Sequence, residues 1–208
     1  MIIGIDNGLT GGIAAISAHH GHLIAAYPMP TKIRTHRFSR TKKSKRFGVT
    51  TKTTGPAINT EIDAAAVVSI IKRVTDSKPC RIVIEECPEH AQQKSTMRSM
   101  GISYGILIGA IEAALPGYDL IVVRSGNSLD SWQRAILGKL DQGETKRAAL
   151  AKAKQLWPSE SWMETRRCKK AHSGMIDAAL IAEYERNLNV RPLAHPGVQD
   201  SPNTTTNL

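Results

Sequence analysis

The chain has 208 residues, which suits one ordinary α/β domain with added surface segments and allows a core without disulfides or structural metal. Apolar residues make up 41% and aromatics only 4%, so the core relies on Ile, Leu, Val and Ala, and no apolar run approaches the roughly 20 residues of a membrane span. The net charge is +10 and the pI near 9.7, which points to a polyanionic partner, DNA first, with RNA or an anionic membrane left open by charge alone.

The opening reads as strand, turn, strand, turn, strand: IIGID, IAAISA and HLIAAYPM, joined by NGLTGG and by His20-Gly21. This predicts an antiparallel meander. It lacks a basic leader region and reaches Asp6 early, so no signal peptide is expected. Residues 31–56 contain no acid and are rich in Lys and Arg, which predicts a long loop or hairpin arm, ordered on DNA. A helix is expected next, capped by Asn59 or Thr60, with Glu61 and Asp63 in its first turn and AAAVVSIIKRV as its apolar stripe.

RIVIEE is a continuous apolar run of the kind found in a fully buried strand. Residues 92–114 read as a helix whose Gly101, Ser103, Gly105 and Gly109 form a patch suited to close packing. YDLIVVR follows as the fifth strand of the sheet. Helices are then expected over 128–138, 143–156 and about 174–189, and residues 191–208 as a disordered tail. The order predicts one domain over 1–190: an α/β fold with a five-stranded mixed sheet, a three-strand antiparallel meander plus two parallel strands, flanked by helices. Cys80, Cys87 and Cys168 form no CxxC pair and favour a reducing, cytoplasmic setting.

Three acids stand where apolar neighbours make an unpartnered charge costly. Asp6 lies in IIGIDNG, Glu85 ends IVIE and Asp177 sits in HSGMIDAALIAEY. Carboxylates gathered at strand ends and at a helix start suit two Mg²⁺ ions, which can activate a water and neutralise charge in phosphodiester hydrolysis. Taken singly, Asp6 could open an Asx-turn, Glu85 could face solvent with Glu86 inward, and Asp177 could favour its helix N-terminus.

The order GIDNGLTGG, IVIEE, a Gly-rich helix and HSGMIDAALIA resembles the RuvC-like Holliday-junction resolvases, especially their phage-type branch. SLDSWQRAILG and ETKRAALAKAKQLWP are also similar to the segments between the family's last two motifs. The resemblance covers about residues 1–188, without the basic insertion. It implies a ribonuclease H-like fold, a homodimer and two-metal cleavage of branched DNA such as four-way junctions, with Mg²⁺ as cofactor and Mn²⁺ able to substitute. Asp6 matches the first metal ligand, Glu85 the second and Asp177 the last. Where phage-type members often read HDG, this chain reads His172-Ser173-Gly174. His172 is then the stand-in for a further ligand, or the group that positions the water.

DNA contacts are expected from Lys42, Lys43, Lys45 and Arg46 in the arm, from Lys146 at a helix start, and from Arg166, Arg167, Lys169 and Lys170 just before His172. Phe38 and Phe47 are candidates to stack on bases. Trp132, Trp157 and Trp162 could do so too but are read more readily as core. Two rival readings remain: an ATPase or sugar kinase of the actin-like superfamily, from Asp6-x-Gly8-x-Thr10, and a junction-binding protein without catalysis. A further possibility keeps the nuclease and changes its substrate to flaps, forks or RNA–DNA hybrids.

Overall fold

The structure is a computed structural model that describes residues 1–43, 50–87, 94–115, 117–126, 128–141 and 143–190. Side chains at 36–43, 50–53, 56–57, 94–96 and 190 are not described. In chain order, β1 (Ile2–Asp6), β2 (Gly12–Ile16) and β3 (Leu23–Pro28) make the expected meander. β4 (Thr31–Lys43) and β5 (Thr50–Ile62) form a separate antiparallel pair. Then come α1 (Ala64–Thr75), β6 (Arg81–Glu85), α2 (Lys94–Ala114) and β7 (Asp119–Val123). The helices α3 (Trp132–Leu137), α4 (Thr145–Leu156) and α5 (Ser173–Val190) complete the order.

The main sheet runs β3-β2-β1-β6-β7, antiparallel through the first three strands, with β6 and β7 added parallel to β1. This is the five-stranded mixed sheet the sequence predicts. Successive strand residues point to opposite faces, and both faces are covered. Ile3, Ile5, Ile13, Ile82 and Ile84 pack with Val67, Ile71, Leu107 and Ile111 of α1 and α2. Ile2, Ala14, Ile16 and Val83 pack with Trp132, Ala153, Ile176 and Leu180 of α3, α4 and α5.

Two glycine contacts decide how close α5 comes. A Cβ on Gly4 would lie 2.0 Å from the carbonyl oxygen of Ala178, and one on Gly174 would lie 2.3 Å from the oxygen of Thr10. The helix therefore rests backbone against backbone on β1 and on the turn that follows it.

Three expectations are corrected. α1 begins at Ala64, not near residue 60, because the hairpin ladder continues to Thr31 opposite Ile62. Glu61 is part of β5, and Asp63 is the N-cap, accepting from the Ala66 N–H at 3.3 Å. The small-residue patch of α2 is no packing face among the described residues: a Cβ on Gly101, Gly105 or Gly109 would meet none of their atoms within 4 Å. Leu107 and Ile111, on the opposite side of the helix, are the residues turned to the sheet. The helix expected at 128–138 is shorter, because Ser131 caps it and it spans only Trp132–Leu137. The arm is a hairpin rather than a loop, and the segment expected as a tail lies outside the described residues. Among the described residues no helix is long and apolar enough to cross a membrane.

Candidate active site

β1 and β6 are parallel neighbours in which Ile5 pairs with Ile84. Asp6 and Glu85 are the next residue on each strand. Since Ile5 and Ile84 face α1 and α2, alternation turns Asp6 and Glu85 toward α5. Asp177 stands in the first turns of α5, beside the Ala178 whose carbonyl presses on Gly4. Three acids far apart in sequence thus meet under one helix. Glu86 points elsewhere and pairs with Arg124 at 3.6 Å, which settles which of the two glutamates faces inward.

Their electrostatics show the cost of that meeting. Burial raises the Asp6 carboxyl above its usual range, against the pull of the Gly8 N–H, of His172 and of Lys146. Glu85 is pushed up to about 7, by burial first and then by the charge of Asp6. Asp177 is also pushed up to about 7, by burial and then by Asp6 and Glu85. Among the described residues none of the three has an ion-pair partner, while ten other ion pairs are formed. Three carboxylates so buried and so close form a site suited to a cation.

The donor set is hard oxygen, which suits Mg²⁺ or Mn²⁺. As they stand, no three His, Cys, Asp or Glu side chains among the described residues are arranged to hold one ion. That fits ions held by one or two carboxylates each and completed by water and phosphate, as Mg²⁺ favours.

Supporting bonds fix the carboxylates. The Gly8 N–H donates to Asp6 Oδ1 at 3.1 Å, so Asp6 also makes the turn contact that its sequence allows. Asn7 Nδ2 donates to the Glu85 carbonyl at 2.6 Å, tying the end of β1 to the end of β6. Trp132 Nε1 donates to Glu85 Oε1 at 3.0 Å, and Ser125 also bonds this carboxylate. Asn7 and Ser125 carry no sequence signal beyond adjacency, and Trp132 reads only as core or stacking surface. All three tryptophans are buried, so none offers an exposed ring to a base.

His172 precedes α5. Its N–H donates to the Trp162 carbonyl at 2.6 Å, and its Nδ1 accepts the Met175 N–H at 3.3 Å. With Nδ1 accepting, a neutral ring carries its hydrogen on Nε2 and presents a donor there rather than a lone pair. The bond to Trp162 also closes the loop that holds Arg166, Arg167, Lys169 and Lys170. All four are exposed and make no ion pair among the described residues. Lys146, at the start of α4, lies close enough to act electrostatically on Asp6 and Asp177. Lys42 and Lys43 are in β4, which belongs to the separate two-stranded sheet, and Lys45, Arg46 and Phe47 lie outside the described residues. At the hairpin root, Lys32 and Arg34 are neutralised by Glu61 and Asp63.

No family model and no curated protein matches the sequence. Among solved structures, RuvC of Thermus thermophilus is similar, at 13% identity and a TM-score of 0.48, over 90% of this chain and 96% of that one. T. thermophilus RuvC in complex with a Holliday junction substrate is similar at 12% identity and a TM-score of 0.44, over 90% and 95%. Likeness at this level says nothing about activity.

Proposed function

We propose that the chain is a metal-dependent endodeoxyribonuclease that resolves four-way DNA junctions by paired symmetric nicks, as a homodimer, akin to the phage-type resolvases its motifs resemble. The observation that carries the reading is the cluster of Asp6, Glu85 and Asp177, three carboxylates raised by burial, Glu85 and Asp177 also by the charge of the other acids. Groups so arranged are candidates for function rather than structure.

Asp6, Glu85 and Asp177 would hold Mg²⁺ or Mn²⁺, which when bound supplies water activation and charge neutralisation at the scissile phosphate. Lys146, which acts electrostatically on Asp6 and Asp177, and the exposed loop of Arg166, Arg167, Lys169 and Lys170 before His172 would offer phosphate contacts. His172 Nε2–H suits orienting a water or phosphate oxygen better than ligating an ion, as long as its Nδ1 keeps the cap. The hairpin is a two-stranded ribbon of a width that a major groove admits, and Lys42, Lys43, Lys45 and Arg46 would serve backbone contacts there. For a second copy, α2 exposes Ile102 and Ile106 beside the open Gly101, Gly105 and Gly109.

The second reading is a branched-DNA-binding protein without catalysis. Ser173, where relatives often carry Asp, motivates it. Incubation of a synthetic four-way junction and a matched duplex with Mg²⁺, Mn²⁺ or EDTA separates the two. Paired nicks on the junction alone, lost in EDTA, are expected. Tight binding with no cut under either metal would establish the binding protein instead, and cleavage of flaps or forks alone would move the substrate.

A further inference from the structure

We propose that Trp132 is a positioning residue for Glu85, its buried indole N–H holding the carboxylate in the orientation that a divalent cation requires. The inference rests on the metal-dependent reading above and adds a residue to it. Trp132 is fully buried, yet it spends its one polar group on a carboxylate at a strand end, at 3.0 Å, rather than on a backbone carbonyl.

The surrounding bonds make this a built arrangement. α3 is only six residues long, and its start is fastened to the exit of β7. The Trp132 N–H donates to the Arg124 carbonyl at 3.0 Å, and the Gly126 N–H donates to Gln133 Oε1 at 2.8 Å. Ser131 caps the helix, its Oγ accepting the Arg134 N–H at 3.1 Å while donating to the Gly126 carbonyl. The backbone that carries the indole is therefore tied to the end of β7, and the ring itself is fully buried. Asn7 holds the main chain of Glu85 from the β1 side, so the residue is clamped at its carbonyl and at its carboxylate.

A donor on a carboxylate favours its charged form and uses one lone pair, leaving the others for the side where Asp6 and Asp177 stand. Partners of this kind around metal ligands are worth about 10–100-fold in metal affinity. A tryptophan that was only core would need some acceptor, but its loss would leave cation affinity unchanged.

The test uses the full chain with ¹⁵N-labelled tryptophan, whose three indole N–H resonances are assigned through Trp157→Phe and Trp162→Phe. On titration with Mg²⁺, the Trp132 resonance should shift in a saturable way while the other two stay. By calorimetry, Trp132→Phe should weaken Mn²⁺ binding by about 10–100-fold with the protein still folded. Should that variant not fold, the titration of the natural chain decides alone. A Trp132 resonance that stays put while the protein binds Mn²⁺ in an Asp6-dependent way overturns the proposal and leaves the metal site standing. Unchanged Mn²⁺ affinity in a folded Trp132→Phe does the same. A natural chain that binds no more Mn²⁺ than Asp6→Asn overturns the metal reading itself.

Discussion

Gly4 and Ala178 touch through their backbones: a single added methyl on Gly4 would sit 2.0 Å from the Ala178 carbonyl oxygen. Asp177 immediately precedes Ala178, so the spacing that sets the helix on the strand also sets the last acid against the first.

Gly4→Ala should therefore push α5 away from β1. Overpacking of this kind costs about 1–3 kcal/mol, or roughly 2–12 °C of Tm for a chain of this size. Because the displaced segment carries Asp177, junction cleavage below the melting point should fall as well. Thermal unfolding and single-turnover cleavage at 25 °C check this, and a variant of natural Tm and rate would show that the helix has slack.

Asp6→Asn and Glu85→Gln keep size while removing charge where an ion would bind. Each should lower junction cleavage by more than about 100-fold, since even groups that merely support a ligand contribute 10–100-fold. Junction affinity in EDTA should stay within a few-fold of natural. Cleavage at the natural rate by either variant would show that the metals lie elsewhere.

Without metal, the carboxylates make stability depend on pH. Glu85 and Asp177 ionise near 7 in the folded chain but near 4 when unfolded. The folded state thus holds protons that the unfolded state has released. Their stabilising effect is complete below about pH 4 and is lost as pH rises through about 7. In EDTA, Asp177→Asn should melt higher than the natural chain at pH 8 and not at pH 4. Mg²⁺ should raise the natural Tm at pH 8 and barely at pH 5. A natural chain and variant that differ equally at both pH values would mean that Asp177 is not strained.

The hairpin register offers a clean cut, since Thr35 faces Ile58 across the ladder. Replacing residues 36–57 by a two-residue turn removes seven Lys and Arg and no acid. Junction binding should weaken, and the slope of log affinity against log salt should become shallower by about 0.9 for each lost phosphate contact. An unchanged slope, measured by fluorescence anisotropy between 50 and 200 mM salt, would show that the arm touches no phosphate.

Much of this was legible because the central strands leave little choice. IIGID and IVIE are apolar until their last residue, and an acid closing such a run has few places to go but a shared cleft. The start of α1 was not legible. Asn59, Thr60, Glu61 and Asp63 satisfy capping rules at several positions, and only pairing with residues some 30 positions earlier keeps Glu61 in a strand. In α2 the small residues suggested close packing, but Leu107 and Ile111 mark the face that the sheet buries, leaving the glycines outside. The bond from Trp132 to Glu85 joins residues 47 positions apart, and no local pattern announces it.

The reliance of the acid cluster on α5 has a consequence for synthesis on the ribosome. A chain that has emerged only as far as residue 170 already carries its basic arm, its meander and two of its three acids. Without Asp177 the cluster is incomplete, so under the proposed function such a chain would bind DNA before it could cut it.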